Sequence, residues 1–376
     1  MFFGELFEVQ TGSSAGILIV KAMLYRSESD MTPLRFRPLL KRIRWGGSRL
    51  GSVLQKPIGS EGDYAESWEF SDYGVDQSVV DGGPFDGKAL GEVVADFNKE
   101  LFGRHAGLGQ FPLLVKFLDA SDRLSVQVHP DDSLAELFSP GENGKTESWV
   151  VIDAEPGAVI YAGLKAGTTP VQLQEHLADG TIEECLHTIP ARPGDCILVP
   201  SGTVHAIGEG ILLAEVQQMS NITFRLYDWG RVDADGEPRE IHLTESLKCI
   251  DFTRGPISPV TPRPIVEFRE DFDSSYETVE LIQCPYFTLH RHRGAAPFAP
   301  VTRDCFHALM VLDGAGHLVC GEESFALSKG QSILVPAVCE PVQVVPDGEI
   351  TVLDAFLPAH YALPNRASDR ARSAEV

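Results

Sequence analysis

Positive charge is what this chain has least of. Of its 376 residues, 31 are Lys or Arg against 54 Asp or Glu, a formal net charge of −23. Such a field repels phosphate backbones and anionic bilayers, which argues against nucleic acid or a membrane as partner. An anionic small substrate would need a local cluster of basic side chains. Cysteine is also scarce: there are seven, at 185, 196, 249, 284, 305, 320 and 339, with no CxxC pair. An odd, scattered set speaks against a disulfide framework and for free thiols in a reducing compartment, read here as the cytoplasm. No apolar run is long enough to cross a bilayer. The best targeting candidate, Ala15 to Leu24, is interrupted by Lys21 and preceded by Glu5 and Glu8 rather than by a positive region. With 43% hydrophobic and 23% charged residues, the remainder has the composition of a globular protein with a substantial core.

Helical periodicity is sparse as well. Leu90, Val93, Val94, Phe97 and Leu101 form one helical stripe between Gly87 and Gly103. A second helix is expected from Thr169-Pro170 to about Ala178, closed by Asp179-Gly180. Elsewhere, from Phe111 onward, short apolar runs are cut by turn residues: PLLVKFLDA, RLSVQVHP, SWVVIDAEPG, AVIYAG, DCILVP, GILLAEVQQ and TFRLYDWG. That spacing predicts an antiparallel β sandwich or barrel.

An internal echo refines the architecture. PGDCILVP (193–200) is answered by KGQSILVP (329–336), and WVVIDAEPG (149–157) by ALMVLDGAG (308–316). Two copies of one β unit are the economical reading. The Pro-, Thr- and Arg-rich stretch 251–266 lies between them as a linker. The expected organisation is an N-terminal extension over 1–30, with Met31 a candidate true start, a first unit over 31–252 and a second over 253–376, its tail from 361 flexible.

Chemistry concentrates in the first copy. Gln127 and His129 are two apart on an alternating strand, so both leave one face. Glu147 follows in GKTESW, and His205 comes just after the proline turn of VPSGTVHAIG. Alone, each has a structural explanation; together they form a candidate metal site whose N and O donors suit Zn²⁺ best, with Mn²⁺, Fe²⁺ or Co²⁺ as alternatives. Lys145, two before Glu147, shares its face and can bind phosphate or move a proton. The second copy has no imidazole where the first has His205. Its His290, His292 and His307 are read as packed or solvated residues, and that unit as structural.

The run FPLLVKFLDASDRLSVQVHPDD, GKTESWVVIDAEPGA, PGDCILVPSGTVHAIG and EVQQMSNITFRLYDWGR resembles the class I mannose-6-phosphate isomerases in their compact bacterial form. The likeness extends from about Leu34 to Leu357. It implies a mainly β fold of tandem cupin (jelly-roll) barrels with a small helical portion, and one zinc ion per chain held by Gln127, His129, Glu147 and His205. It further implies Arg225 as the catalytic arginine of a monomer or homodimer acting on a phosphosugar. Glu215 is the candidate general base; a role in orienting a ligand or Arg225 stays open beside it. Two other classes remain: a dioxygenase-like cupin enzyme and a non-catalytic sugar-binding cupin. Lys145, Glu215 and Arg225 together weigh against the latter.

Overall fold

The computed structural model describes residues 31–232, 236–265, 275–300, 304–339 and 341–361. The expectations for 1–30 and for the tail beyond 361 fall outside them. The described residues belong to one compact unit.

The chain is mainly β. A six-stranded sheet contains Leu39–Gly47, Tyr64–Phe70, Leu113–Ala120, Glu147–Ala154, Cys196–Val199 and Ile211–Gln218, with Ile211–Gln218 between Leu113–Ala120 and Glu147–Ala154. A five-stranded sheet, built from Val126–Val128, Val159–Leu164, Leu186–Pro190, His205–Ile207 and Phe224–Tyr227, packs against it. Trp149, Val151, Ile197, Val199 and Leu213 of the first sheet meet Ile160, Ala162, Ile189 and Ile207 of the second in one buried cluster. The second half repeats the plan with a six- and a three-stranded sheet around Leu309, Val311, Ile333, Leu318 and Val344. In each half the two sheets are open and face each other, which is the sandwich form of the jelly roll expected from sequence.

Alternation along the central strands explains how the halves join. Trp149 and Val151 face the sandwich interior, whereas Val150 between them belongs to a larger cluster. That cluster also takes Phe117, Val216, Met310 and Leu353 from the outer faces of both six-stranded sheets, and Leu90, Val93, Leu101 and Phe102 from the helices. Both faces of these sheets are therefore buried, which is why Leu113–Ala120 has no exposed residue.

The predicted 90–101 helix is two helices, Leu90–Asp96 and Asn98–Phe102, interrupted at Phe97, whose φ of −132° and ψ of 40° lie outside the helical region. Both segments still present their stripe to the shared core. The helix Pro170–Ala178 forms as expected, with Thr169 and Gln172 making a reciprocal capping box. A further helix, Asp132–Phe138, is capped by the Asp131 carboxylate, which accepts from Leu134 N. Among the described residues no helix is long and apolar enough to cross a membrane.

Strand pairing also corrects the internal alignment. Val199 pairs with Glu147 and Cys196 with Val150, while Val335 pairs with His307 and Ser332 with Met310. With the two ILVP segments superposed, ESWVVID therefore lies on HALMVLD, one residue away from the WVV/ALM alignment. Likewise Glu215 opposes Trp149 and Lys116, as Asp354 opposes Leu309 and His290. Asp354 thus occupies in the second half the place of Glu215 in the first.

Candidate metal centre

Three strands bring three of the four predicted donors together. His129 follows Val126–Val128, Glu147 opens Glu147–Ala154 and His205 opens His205–Ile207. One ligand atom from each lies within 4.8 Å of the other two, and all three side chains are buried. Among the described residues this is the one such group of His, Cys, Asp or Glu.

The imidazoles are held in one tautomer. His129 Nδ1–H donates to the Ile222 carbonyl at 3.0 Å, and His205 Nδ1–H to the Thr203 carbonyl at 2.8 Å. Each Nε2 is left with a lone pair turned toward Glu147. Such outer hydrogen bonds are how proteins orient imidazole ligands. Burial pushes both histidines toward the neutral form, His129 down to about 3 with the Lys145 ammonium adding to the effect. Burial opposes charge on Glu147 too, but the Lys145 ammonium beside it holds its carboxyl well below the usual range.

The decisive contact is between two acceptors. His205 Nε2 and Glu147 Oε1 are 3.2 Å apart, and neither has a hydrogen-bond donor. Two lone pairs facing each other in a dry interior repel unless a cation is shared between them. The donor set therefore fits a metal ion. Lys145 already brings positive charge: its Nζ donates to Glu147 Oε2 at 2.7 Å and to His129 Nε2 at 3.0 Å.

The other predicted residues are placed by strand register and their own contacts. Gln127 pairs directly with His205 on one side and Arg225 on the other, so the three side chains leave one face. Arg225 is half-buried; its Nη1 donates to the Glu240 carbonyl at 2.9 Å, and its Nε has no acceptor. Asp228, three residues on, pairs with Arg231 and Arg239. Glu215 lies deeper, with Oε1 2.9 Å from Lys116 Nζ and Oε2 accepting from Trp149 Nε1 at 3.0 Å. The Trp149 ring in turn packs edge-on against His205, centroids 5.4 Å apart. Of the basic residues near Trp45, Lys41, Arg42 and Arg49 pair with Asp76, Asp63 and Asp119 respectively, and Arg44 donates to the Val232 carbonyl at 2.6 Å. A cavity of about 390 Å³ bordered by Asp122, Arg123, Tyr161 and Glu209 includes none of the predicted site residues.

Lys116 and Trp149 were not singled out by sequence. A lone lysine inside the apolar run LLVKFLDA was the available signal, since a buried ammonium must be paired.

Comparison with known proteins agrees with this geometry. Residues 34–148 match the family model for the catalytic domain of type I phosphomannose isomerase, and 277–354 that for the mannose-6-phosphate isomerase cupin domain. Mannose-6-phosphate isomerase ManA of Bacillus subtilis is 38% identical over 305 residues, covering 81% of this chain and 93% of its own. The chain belongs to the type I phosphomannose isomerases. The mannose-6-phosphate isomerase of Streptococcus mutans is 36% identical over 321 residues, covering 85% of this chain and 97% of its own. The crystal structure of mannose 6-phosphate isomerase from B. subtilis superposes with a TM-score of 0.78 at 29% identity, over 86% of this chain and 99% of that one. In this type I phosphomannose isomerase chain, the matched catalytic stretch carries Gln127, His129, Lys145 and Glu147, whereas His205, Glu215 and Arg225 lie between the two matched stretches.

Proposed function

We propose that this chain is a zinc-dependent aldose–ketose isomerase interconverting mannose 6-phosphate and fructose 6-phosphate through a cis-enediol. The observation that carries the reading is the pair of donor-less acceptors, His205 Nε2 and Glu147 Oε1, beside an ammonium in a dry pocket. In this reading His129, Glu147 and His205 hold the ion, with Gln127 as the fourth ligand. A divalent ion there supplies Lewis-acid stabilisation to sugar oxygens on which negative charge develops.

The chain's own residues do the rest. Arg225, on the same face as Gln127 and with its Nε unengaged, offers a permanent planar charge to the enediolate. Lys145 is close enough to the triad to move the oxygen-bound proton. Glu215, whose pKa burial raises against the pull of Lys116, takes the proton from carbon. Residues 31–252 make up the catalytic half and 253–376 a half without metal, in a monomer or homodimer. The free state of all seven cysteines supports a reducing, cytoplasmic setting.

The test is a coupled assay for fructose 6-phosphate formed from mannose 6-phosphate, before chelation, after it, and after zinc is restored. Turnover that disappears and returns is expected; no turnover with metal restored would reject the isomerase assignment, and dioxygen uptake would favour a dioxygenase-like cupin.

A further inference from the structure

Two adjacent glutamines at the end of Ile211–Gln218 are treated very differently by their surroundings. Gln218 has both ends of its amide engaged: Oε1 accepts from Thr146 N at 2.9 Å, and Nε2 donates to Asp132 Oδ1 at 2.9 Å. Gln217 donates from Nε2 to two main-chain carbonyls, Gln218 at 3.1 Å and Ser220 at 2.6 Å, yet its Oε1 is buried with no donor. The amide cannot be turned round to cure this, because its oxygen would then face two carbonyl oxygens. Gln217 is fully buried, so the unmet acceptor is costly.

Register places that side chain. Gln217 pairs directly with Glu147 in the antiparallel ladder, so the two side chains share the interior face that carries the metal triad. Packing alone does not call for an amide here: Phe356 holds the equivalent position of the second half, counted two residues on from Asp354 as Gln217 is from Glu215. An acceptor with its geometry fixed, beside a sugar site, calls for an O–H donor.

We propose that Gln217 Oε1 accepts a hydrogen bond from a hydroxyl of the bound sugar, making Gln217 a specificity-determining residue of this site. The inference rests on the isomerase reading above. A site built to hydrogen-bond a substrate hydroxyl discriminates against analogues that lack it, since the protein partner is then left unpaired. The hydroxyls left for this role are ring hydroxyls not involved in the enediol.

The experiment measures kcat/KM for mannose 6-phosphate and for its 3-deoxy and 4-deoxy analogues, with wild-type protein and Gln217→Met, alongside metal content and melting temperature. Wild type is expected to lose about tenfold to a hundredfold on one of the two analogues. Gln217→Met is expected to lose a similar factor on mannose 6-phosphate and nothing further on that analogue, with metal retained. Equal losses on every substrate, or loss of metal, would place the acceptor on a metal-bound water or on the centre itself and overturn the proposal. The wild-type series decides even if Gln217→Met fails to fold: indifference to both missing hydroxyls overturns it. Failure of wild type to isomerise mannose 6-phosphate itself would be a failure of the isomerase reading instead.

Discussion

Glu215 is held between Lys116 and Trp149, and that position can serve either proton transfer or the orientation of His205 through the indole ring. Glu215→Gln separates the two. It keeps an oxygen for the Trp149 N–H and removes the base while leaving the metal triad untouched. If Glu215 moves the carbon-bound proton, kcat falls by about 10²–10⁴ with metal content unchanged. A severalfold fall with a lower melting temperature assigns it to orientation. Arg225→Ala is expected to keep both fold and metal, because its side chain donates to the Glu240 carbonyl outside the triad, and to reduce kcat by about 10²–10³; unchanged turnover would remove it from the mechanism. At this scale the sequence was informative where donors stood in short, ordered motifs, as with His129 and His205. It was silent on Lys116, whose partner Glu215 is adjacent only through strand pairing.

Elements position these residues, and the turn between Cys196–Val199 and His205–Ile207 does so most tightly. Gly202 has φ of +82°, its N–H donates to the His129 carbonyl at 2.8 Å, and its carbonyl accepts from Asp251 N at 2.9 Å. One residue thus ties the segments carrying the triad's two imidazoles. An added Cβ would sit 2.9 Å from the Cys249 carbonyl oxygen as well as in a backbone region that disfavours side chains. Gly202→Ala is therefore expected to cost about 1–2 kcal/mol of stability from the backbone conformation alone, and to weaken metal affinity as His205 shifts. Equilibrium dialysis against zinc together with thermal unfolding checks both; lost stability with unaltered affinity would mean the turn merely closes the chain. Element type was legible from the spacing of apolar runs and turns. Register was not: the echo between the halves was recognisable from ILVP, yet its strand alignment was one residue out, because only long-range pairing fixes which side chains share a face.

Across the whole molecule, the two halves share one core but solve the same interior positions with different chemistry. Where the first half has Glu147 and Glu215, the second has His307 and Asp354, and these form an ion pair with Nδ1 2.9 Å from Oδ2. Burial opposes charge on both, and their mutual attraction overrides it: His307 is lifted to about 10, and Asp354 is held far below the usual carboxylate range. His292 Nε2, 3.5 Å from Asp354 Oδ2, adds to this cluster. A histidine raised in the folded state contributes stability that is complete below its ordinary value near 6.5 and fades as pH rises toward 10. A depressed aspartate contributes above its ordinary value near 3.9 and loses that contribution as pH falls. The pair therefore stabilises most between about pH 4 and 6.5. Asp354→Asn leaves His307 without its anion and is expected to cost about 3–5 kcal/mol at pH 6. That difference from wild type should shrink steadily from pH 6.5 to 10, because over this range the unfolded chain has lost the His307 proton while the native protein still holds it. Denaturant unfolding of both proteins across this range measures it, with metal content followed in parallel. A gap that stays constant with pH would show that Asp354 supports the fold by hydrogen bonding alone, whereas loss of bound metal would show that the second half shapes the candidate metal centre through the shared core.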